Sequence, residues 1–232
     1  MKVAIYILLL VSALIISAAY FVNGKVVSTS APLAVIPESP WVIEGESGTL
    51  GAELYASCAS CHMADGSGRS DGDVPRLAGQ SQKVLVHKLQ KLRDGSSYLP
   101  VMLPFARALS ADEVLEVSRY IAGLSTITAA TLVQTVPAAD SLAATKYQEY
   151  CSACHGAQGQ GNDALLAPKL CGQHSAYLLR RMSETRQNLR GDADSGMAAI
   201  LNIIEKADQI EIAQWLEAIQ CTATGLSAGS NT

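Results

Sequence analysis

The chain carries the same five-residue motif twice, and this repeat constrains the fold more than any other feature. Each copy has two cysteines separated by two residues and followed directly by a histidine, at residues 58–62 and 151–155. This spacing is the attachment signature of a c-type haem, whose vinyl groups form thioethers with the two thiols. The adjacent histidine then lies under the iron as proximal ligand. A zinc site or a redox dithiol would use similar cysteines, but two copies in similar surroundings favour haem.

The motifs therefore predict two covalently bound haem c groups. The residues predicted to form the thioethers and to ligate the irons are Cys58, Cys61, His62, Cys151, Cys154 and His155. A proline, Pro75 or Pro168, follows each histidine at the same distance along the chain. Its backbone carbonyl is a candidate acceptor for the Nδ1 proton of the histidine, which would fix the orientation of the ring. The simpler interpretation is that each proline stiffens its loop.

The similarity between the two halves extends beyond the motifs. Aligning the motifs also aligns Gly79 and Gln80 with Gly172 and Gln173. Repetition of this kind indicates two copies of one structural unit. We therefore predict tandem domains at residues 48–125 and residues 144–222, with one haem in each.

Hydrophobic periodicity predicts helices around each motif. Helices are expected over residues 49–57, 81–94 and 206–220. Ser110 and Glu113 have the spacing of a capping box, which is typical of a helix N-terminus.

A methionine occupies an equivalent place in each repeat and could fill the second axial position of each iron. Met102 lies in a proline-bracketed loop, and Met197 follows a glycine-containing segment and is also expected to lie in a loop. We predict that the side-chain sulfur of each methionine is the distal ligand of its iron. A thioether ligand of this kind favours ferrous iron. Core packing is the alternative for any single methionine. His87 and His174 are expected to be solvated surface residues rather than ligands.

The N-terminal segment is predicted to enter the membrane. Residues 3–22 form an apolar run without charge that is long enough to cross a bilayer as a helix. Residues 1–22 are therefore expected to be a retained anchor, with a cleaved secretory signal as the alternative. Both place the remainder on the periplasmic side of the bacterial inner membrane. Residues 23–47 and 126–143 are predicted linkers, and residues 223–232 a disordered tail.

The second repeat has two further cysteines, Cys171 and Cys221, and the first repeat has no cysteine at either equivalent position. We predict a disulfide between them, because the periplasm is an oxidising compartment. Two buried free thiols are the alternative. A role for Cys171 as an iron ligand is a remoter one.

With these segments considered together, the chain resembles the tandem diheme class I cytochromes c, and most closely the cytochrome c4 family. The resemblance covers roughly residues 48–222 and rests on the two motifs and on residues 75–80, 102–110 and 168–173. It implies an all-α fold of two class I cytochrome c domains. It also implies that the axial ligands are the histidines and methionines named above. The second domain departs from the family by lacking a Pro-Phe-Ala segment after its methionine.

The resemblance implies periplasmic electron transfer. The donor would be a quinol-oxidising cytochrome bc-type complex or a dehydrogenase, and the acceptor a haem–copper terminal oxidase. Such a carrier needs no catalytic residue, and we predict none. The alternatives are a haem-bearing subunit of a membrane oxidase or dehydrogenase complex and, less favoured, a diheme redox enzyme. The net charge of −4 argues against nucleic acid as a partner.

Overall fold

The computed structural model describes residues 48–125 and 141–219, and within these ranges every regular element longer than one residue pair is a helix. An isolated antiparallel bridge joins Asn162 and Ala167. In chain order the helices are α1 Gly48–His62, α2 Gln82–Asp94, α3 Leu103–Ala108, α4 Ala111–Gly123, α5 Leu142–Tyr150, α6 Ser152–His155, α7 Ser175–Arg186, α8 Ser195–Ile203 and α9 Lys206–Ala218. Helices α1–α4 form the first domain and α5–α9 the second, so the predicted all-α fold of two tandem domains is confirmed.

In the first domain the helix that carries the motif packs against the last helix. Helix α1 lies on α4, and α2 also packs against α4. The rings of Tyr55 and Tyr120 meet with their centroids 5.5 Å apart. Tilted aromatic pairs at this separation add stability beyond the area that they bury. The Tyr55 hydroxyl donates to the carbonyl of Met63 at 2.8 Å, which ties the core to the residue after His62.

The second domain repeats this arrangement. Helix α9 packs against both α5 and α7. Tyr147 and Trp215 take the places of Tyr55 and Tyr120, with centroids 5.1 Å apart. The Tyr147 hydroxyl donates to the carbonyl of Gly156 at 2.6 Å, one residue after His155. The core of this domain contains Ala144, Tyr147, Cys171, Leu178, Ile212, Ala213, Trp215, Leu216 and Ile219.

Local signals located the helix starts well. Ser81 caps α2 by accepting from the backbone N–H of Val84. Ser110 and Glu113 form the predicted capping box at the start of α4. By contrast, the helix predicted to end at residue 57 continues through the whole first motif to His62. The segment around Pro104 was expected to be a loop, but it contains α3, because proline is tolerated in the first turn of a helix.

None of the helices in the described ranges is both long and apolar enough to span a bilayer. The predicted anchor or signal at residues 1–22, the linkers at 23–47 and 126–143 and the tail at 223–232 lie wholly or almost wholly outside the described residues.

Candidate haem sites

Each predicted proximal histidine is held by the proline carbonyl that follows it. The Nδ1 atom of His62 lies 3.0 Å from the carbonyl oxygen of Pro75. The Nδ1 atom of His155 lies 2.9 Å from the carbonyl oxygen of Pro168. A carbonyl only accepts, so both rings carry their proton on Nδ1 and leave Nε2 free for a metal. The predicted role of the two prolines is confirmed.

Both imidazoles are buried, and burial is the main influence on their charge. It lowers the pKa of His62 and of His155, while the bond to the proline carbonyl raises the pKa by less. The rings are therefore held in the neutral form, which is the form that ligates iron.

The cysteines of each motif lie on one short stretch of helix next to the histidine. Cys58 and Cys61 are on the last turns of α1. In the second domain the helix is interrupted at Cys151, and α6 carries Cys154 and His155. The four motif cysteines form no disulfide bond, and Cys61 and Cys154 are exposed. Two cysteine sulfurs beside a buried histidine whose Nδ1 is bonded to a carbonyl fit covalent attachment of haem c.

One glycine in each domain lets the loop after the histidine approach the proline peptide. Gly68 has φ +69°, and a Cβ there would lie 2.5 Å from the carbonyl oxygen of Pro75. Gly161 has φ +89°, and a Cβ there would lie 2.8 Å from the backbone nitrogen of Lys169. Only glycine fits such a close approach with positive φ. These two residues therefore keep the acceptor of each histidine in place.

The predicted distal methionines are both half-buried at the start of a helix. Met102 is the residue that caps α3. Met197 lies inside the first turn of α8, where its N–H donates to the side chain of Asp194. The expectation that Met197 lies in a loop is wrong, because Asp194 caps a helix that the glycine-containing sequence had hidden. Ligation of the irons by these two sulfurs stays a prediction.

The segments that follow the two prolines hydrogen-bond to each other across the two domains. The backbone N–H of Arg76 donates to Oε1 of Gln173 at 2.9 Å, and Nε2 of Gln173 donates to the Arg76 carbonyl at 2.8 Å. The equivalent bonds join Lys169 to Gln80, at 2.9 Å and 3.1 Å. Alignment of the repeats marked both glutamines, but it gave no sign that each pairs with the opposite domain.

Two cations line the small cavity at this interface. Arg76 and Lys169 lie there together with Ala78, Gln80, Cys171 and Gln173. Burial lowers the pKa of both cations, and the charge of Arg76 lowers that of Lys169 further. The Nε atom of Arg76 is buried and has no hydrogen-bond partner in the structure. A buried donor of this kind fits a cofactor that carries carboxylate groups, as haem does.

The prediction that His174 is a solvated surface residue is wrong. Its side chain is buried, and Nε2 donates to the carbonyl of Ser67 in the other domain at 2.8 Å. Nδ1 lies 3.4 Å from a carboxylate oxygen of Glu217. The sequence could not show that another domain covers His174. Ser81, the residue at the corresponding cap in the first domain, reaches across in the same way to Asp163.

The structure records Cys171 as disulfide-bonded. It is buried beside the interdomain cavity. Cys221, the partner predicted from the sequence, lies outside the described residues, so the pairing itself stays a prediction.

Comparisons with known proteins agree with this geometry. The family described as Cytochrome c matches residues 49–125 and 142–217. Cytochrome c4 of Stutzerimonas stutzeri is 31% identical, over 66% of this chain and 80% of that protein. The thiosulfate dehydrogenase electron acceptor of Thiomonas intermedia strain K12 is 32% identical, over 70% of this chain and 78% of that protein. The crystal structure of reduced recombinant cytochrome c4 from Pseudomonas stutzeri has the same fold, with a TM-score of 0.64 at 23% identity, covering 75% of this chain and 98% of that one.

The fold and the two supported histidines thus define a tandem protein with two c-type haem sites. The chain belongs to the cytochrome c family, and its predicted resemblance to the diheme cytochromes c4 is confirmed. It binds two haem c groups covalently, one in each domain.

Proposed function

We propose that the chain is a periplasmic electron carrier whose irons are ligated by His62 with Met102 and by His155 with Met197. The observation that carries the proposal is the pair of matching histidine supports, with Nδ1 bonded to Pro75 at 3.0 Å and to Pro168 at 2.9 Å. The haems supply reversible one-electron chemistry. The protein holds each imidazole neutral and fixed, so the ligand needs little rearrangement when the oxidation state changes.

A methionine on the distal side would complete this arrangement. Both sulfurs belong to half-buried side chains at a helix start. Met102 is the N-cap residue of α3, and the backbone N–H of Met197 donates to Asp194 in the first turn of α8. A thioether favours ferrous iron and raises the reduction potential. The proposed carrier therefore accepts electrons from low-potential donors and passes them to a strong oxidant.

The donor and acceptor that we favour are a quinol-oxidising cytochrome bc-type complex and a haem–copper terminal oxidase. A second donor is supported by similarity to a protein named as a thiosulfate dehydrogenase electron acceptor. A haem-bearing subunit of a membrane complex stays an alternative, since residues 1–22 have the composition of a membrane segment.

The donor is tested by following reduction of the oxidised protein in the visible haem bands in two parallel reactions. One contains quinol with a cytochrome bc-type complex, and the other thiosulfate with thiosulfate dehydrogenase. We expect faster reduction in the first, with no reduction when either enzyme is omitted. Faster reduction by thiosulfate would establish the second donor. If dithionite reduces the protein but neither enzyme does, both donors are wrong.

A further inference from the structure

One peptide group in each domain makes two hydrogen bonds that lead in opposite directions. The peptide between Pro75 and Arg76 accepts from His62 through its carbonyl, at 3.0 Å. Its N–H donates to Oε1 of Gln173 in the other domain, at 2.9 Å. A single planar amide therefore separates the first proximal histidine from a glutamine of the second domain.

The same arrangement exists in reverse. The peptide between Pro168 and Lys169 accepts from His155, at 2.9 Å. Its N–H donates to Oε1 of Gln80 in the first domain, at 2.9 Å. Gln173 of the second domain is thus linked through one peptide group to His62 of the first domain. Gln80 of the first domain is linked in the same way to His155 of the second.

Both glutamine side chains are fixed by several bonds. Oε1 of Gln173 also accepts from the N–H of His174 at 3.1 Å, and Oε1 of Gln80 from the N–H of Ser81 at 3.0 Å. Two N–H donors at one atom identify that atom as the amide oxygen. Each Nε2 donates back to the carbonyl of Arg76 or Lys169. Gln173 is also buried, so the bonds that it makes are shielded from water.

Hydrogen bonds in a chain polarise one another. When an amide N–H donates to an acceptor, the carbonyl of that amide becomes a better acceptor itself. A stronger acceptor at Nδ1 makes the imidazole a more basic ligand, as outer partners of metal-bound histidines do. A more basic ligand stabilises the ferric state.

We propose that Gln173 tunes the reduction potential of the haem in the first domain, and that Gln80 tunes that of the haem in the second. They are positioning residues that act through Pro75 and Pro168 on His62 and His155. This inference rests on the proposed ligation by the two histidines.

The test replaces each glutamine with methionine in the full-length haem-loaded protein, since methionine has similar length and no charge. The potential of each haem is measured, with the haems assigned to their domains by nuclear magnetic resonance. Gln173→Met should raise the reduction potential of the first haem, because its proximal support loses one polarising hydrogen bond. At a fixed applied potential the ferric-to-ferrous ratio of that haem should fall about threefold, which corresponds to a rise of about 28 mV for a one-electron couple. Gln80→Met should do this to the second haem. The chemical shift of the Nδ1 proton of the affected histidine should change as its hydrogen bond weakens.

The conservative variant Gln173→Glu keeps an acceptor oxygen for the Arg76 N–H and should not raise the first potential. The matched control is Ser81→Ala, which is also uncharged and removes the interdomain bond to Asp163. It touches neither proline peptide and should leave both potentials and both Nδ1 protons unchanged.

The crossed pattern separates tuning from loosening of the interface. Equal shifts of both haems, a shift confined to the haem of the substituted domain, or no shift would overturn the inference. If a methionine variant loses haem, an increased potential in Gln173→Glu would overturn it in the same way. Absence of histidine-ligated haem in the unmodified protein would instead refute the proposed function.

Discussion

Replacing Met102 with alanine is expected to remove about half of the sulfur-to-ferric charge-transfer band in the near-red spectrum, because one of two thioether ligands is lost. Met102 is half-buried at the start of α3 and has an equivalent in the second repeat. The reduction potential of the first haem should also fall, because the ligand that favours its ferrous state is gone. Absorption and magnetic spectra of the oxidised variant measure both effects.

Met63 provides a matched control. It directly follows His62, is exposed, and so cannot reach the opposite side of the same haem. Met63→Ala should leave the band intact, whereas Met197→Ala should remove the half that Met102→Ala leaves. An unchanged band in Met102→Ala would mean that Met102 is not a ligand.

The second large effect concerns stability. Tyr147→Ala is expected to destabilise the second domain by about 3–5 kcal/mol, the usual cost of removing a large buried aromatic side chain. Tyr147 is fully buried, packs on Trp215 and donates to the carbonyl of Gly156. Urea unfolding followed by circular dichroism should therefore show an earlier transition.

Tyr147→Phe separates packing from hydrogen bonding. It keeps the ring and removes only the hydroxyl, so it should cost about 1 kcal/mol from the lost bond. Equal destabilisation by the two variants would contradict the packing argument. Loss of stability in the second domain should also release Gly156, the residue after His155. Weaker absorption bands of the second haem would detect this release.

The sequence predicted the features that depend on nearby residues. The two motifs, the capping box at Ser110 and the carbonyls of Pro75 and Pro168 all act over short distances along the chain. Because each feature depends on residue type and spacing, the sequence was sufficient to identify it. Because the two domains repeat, an assignment made in one domain could be checked at the equivalent residue of the other.

The features that the sequence missed depend on contact between distant segments. Nothing near His174 indicates that Ser67 covers it, and nothing near Gln80 identifies Lys169 as its partner. The helix around Met197 was missed for a different reason. Its cap, Asp194, stands among glycines that suggested an irregular segment, yet the side chain of Asp194 accepts from the Met197 N–H and begins α8.

The most direct test of the account is a redox titration of the unmodified protein with optical and magnetic spectra recorded together. We predict two haems per chain, both low-spin in the ferric state with histidine and methionine as ligands, and two resolvable potentials. A single haem, a high-spin iron or ligation by two histidines at either site would contradict it.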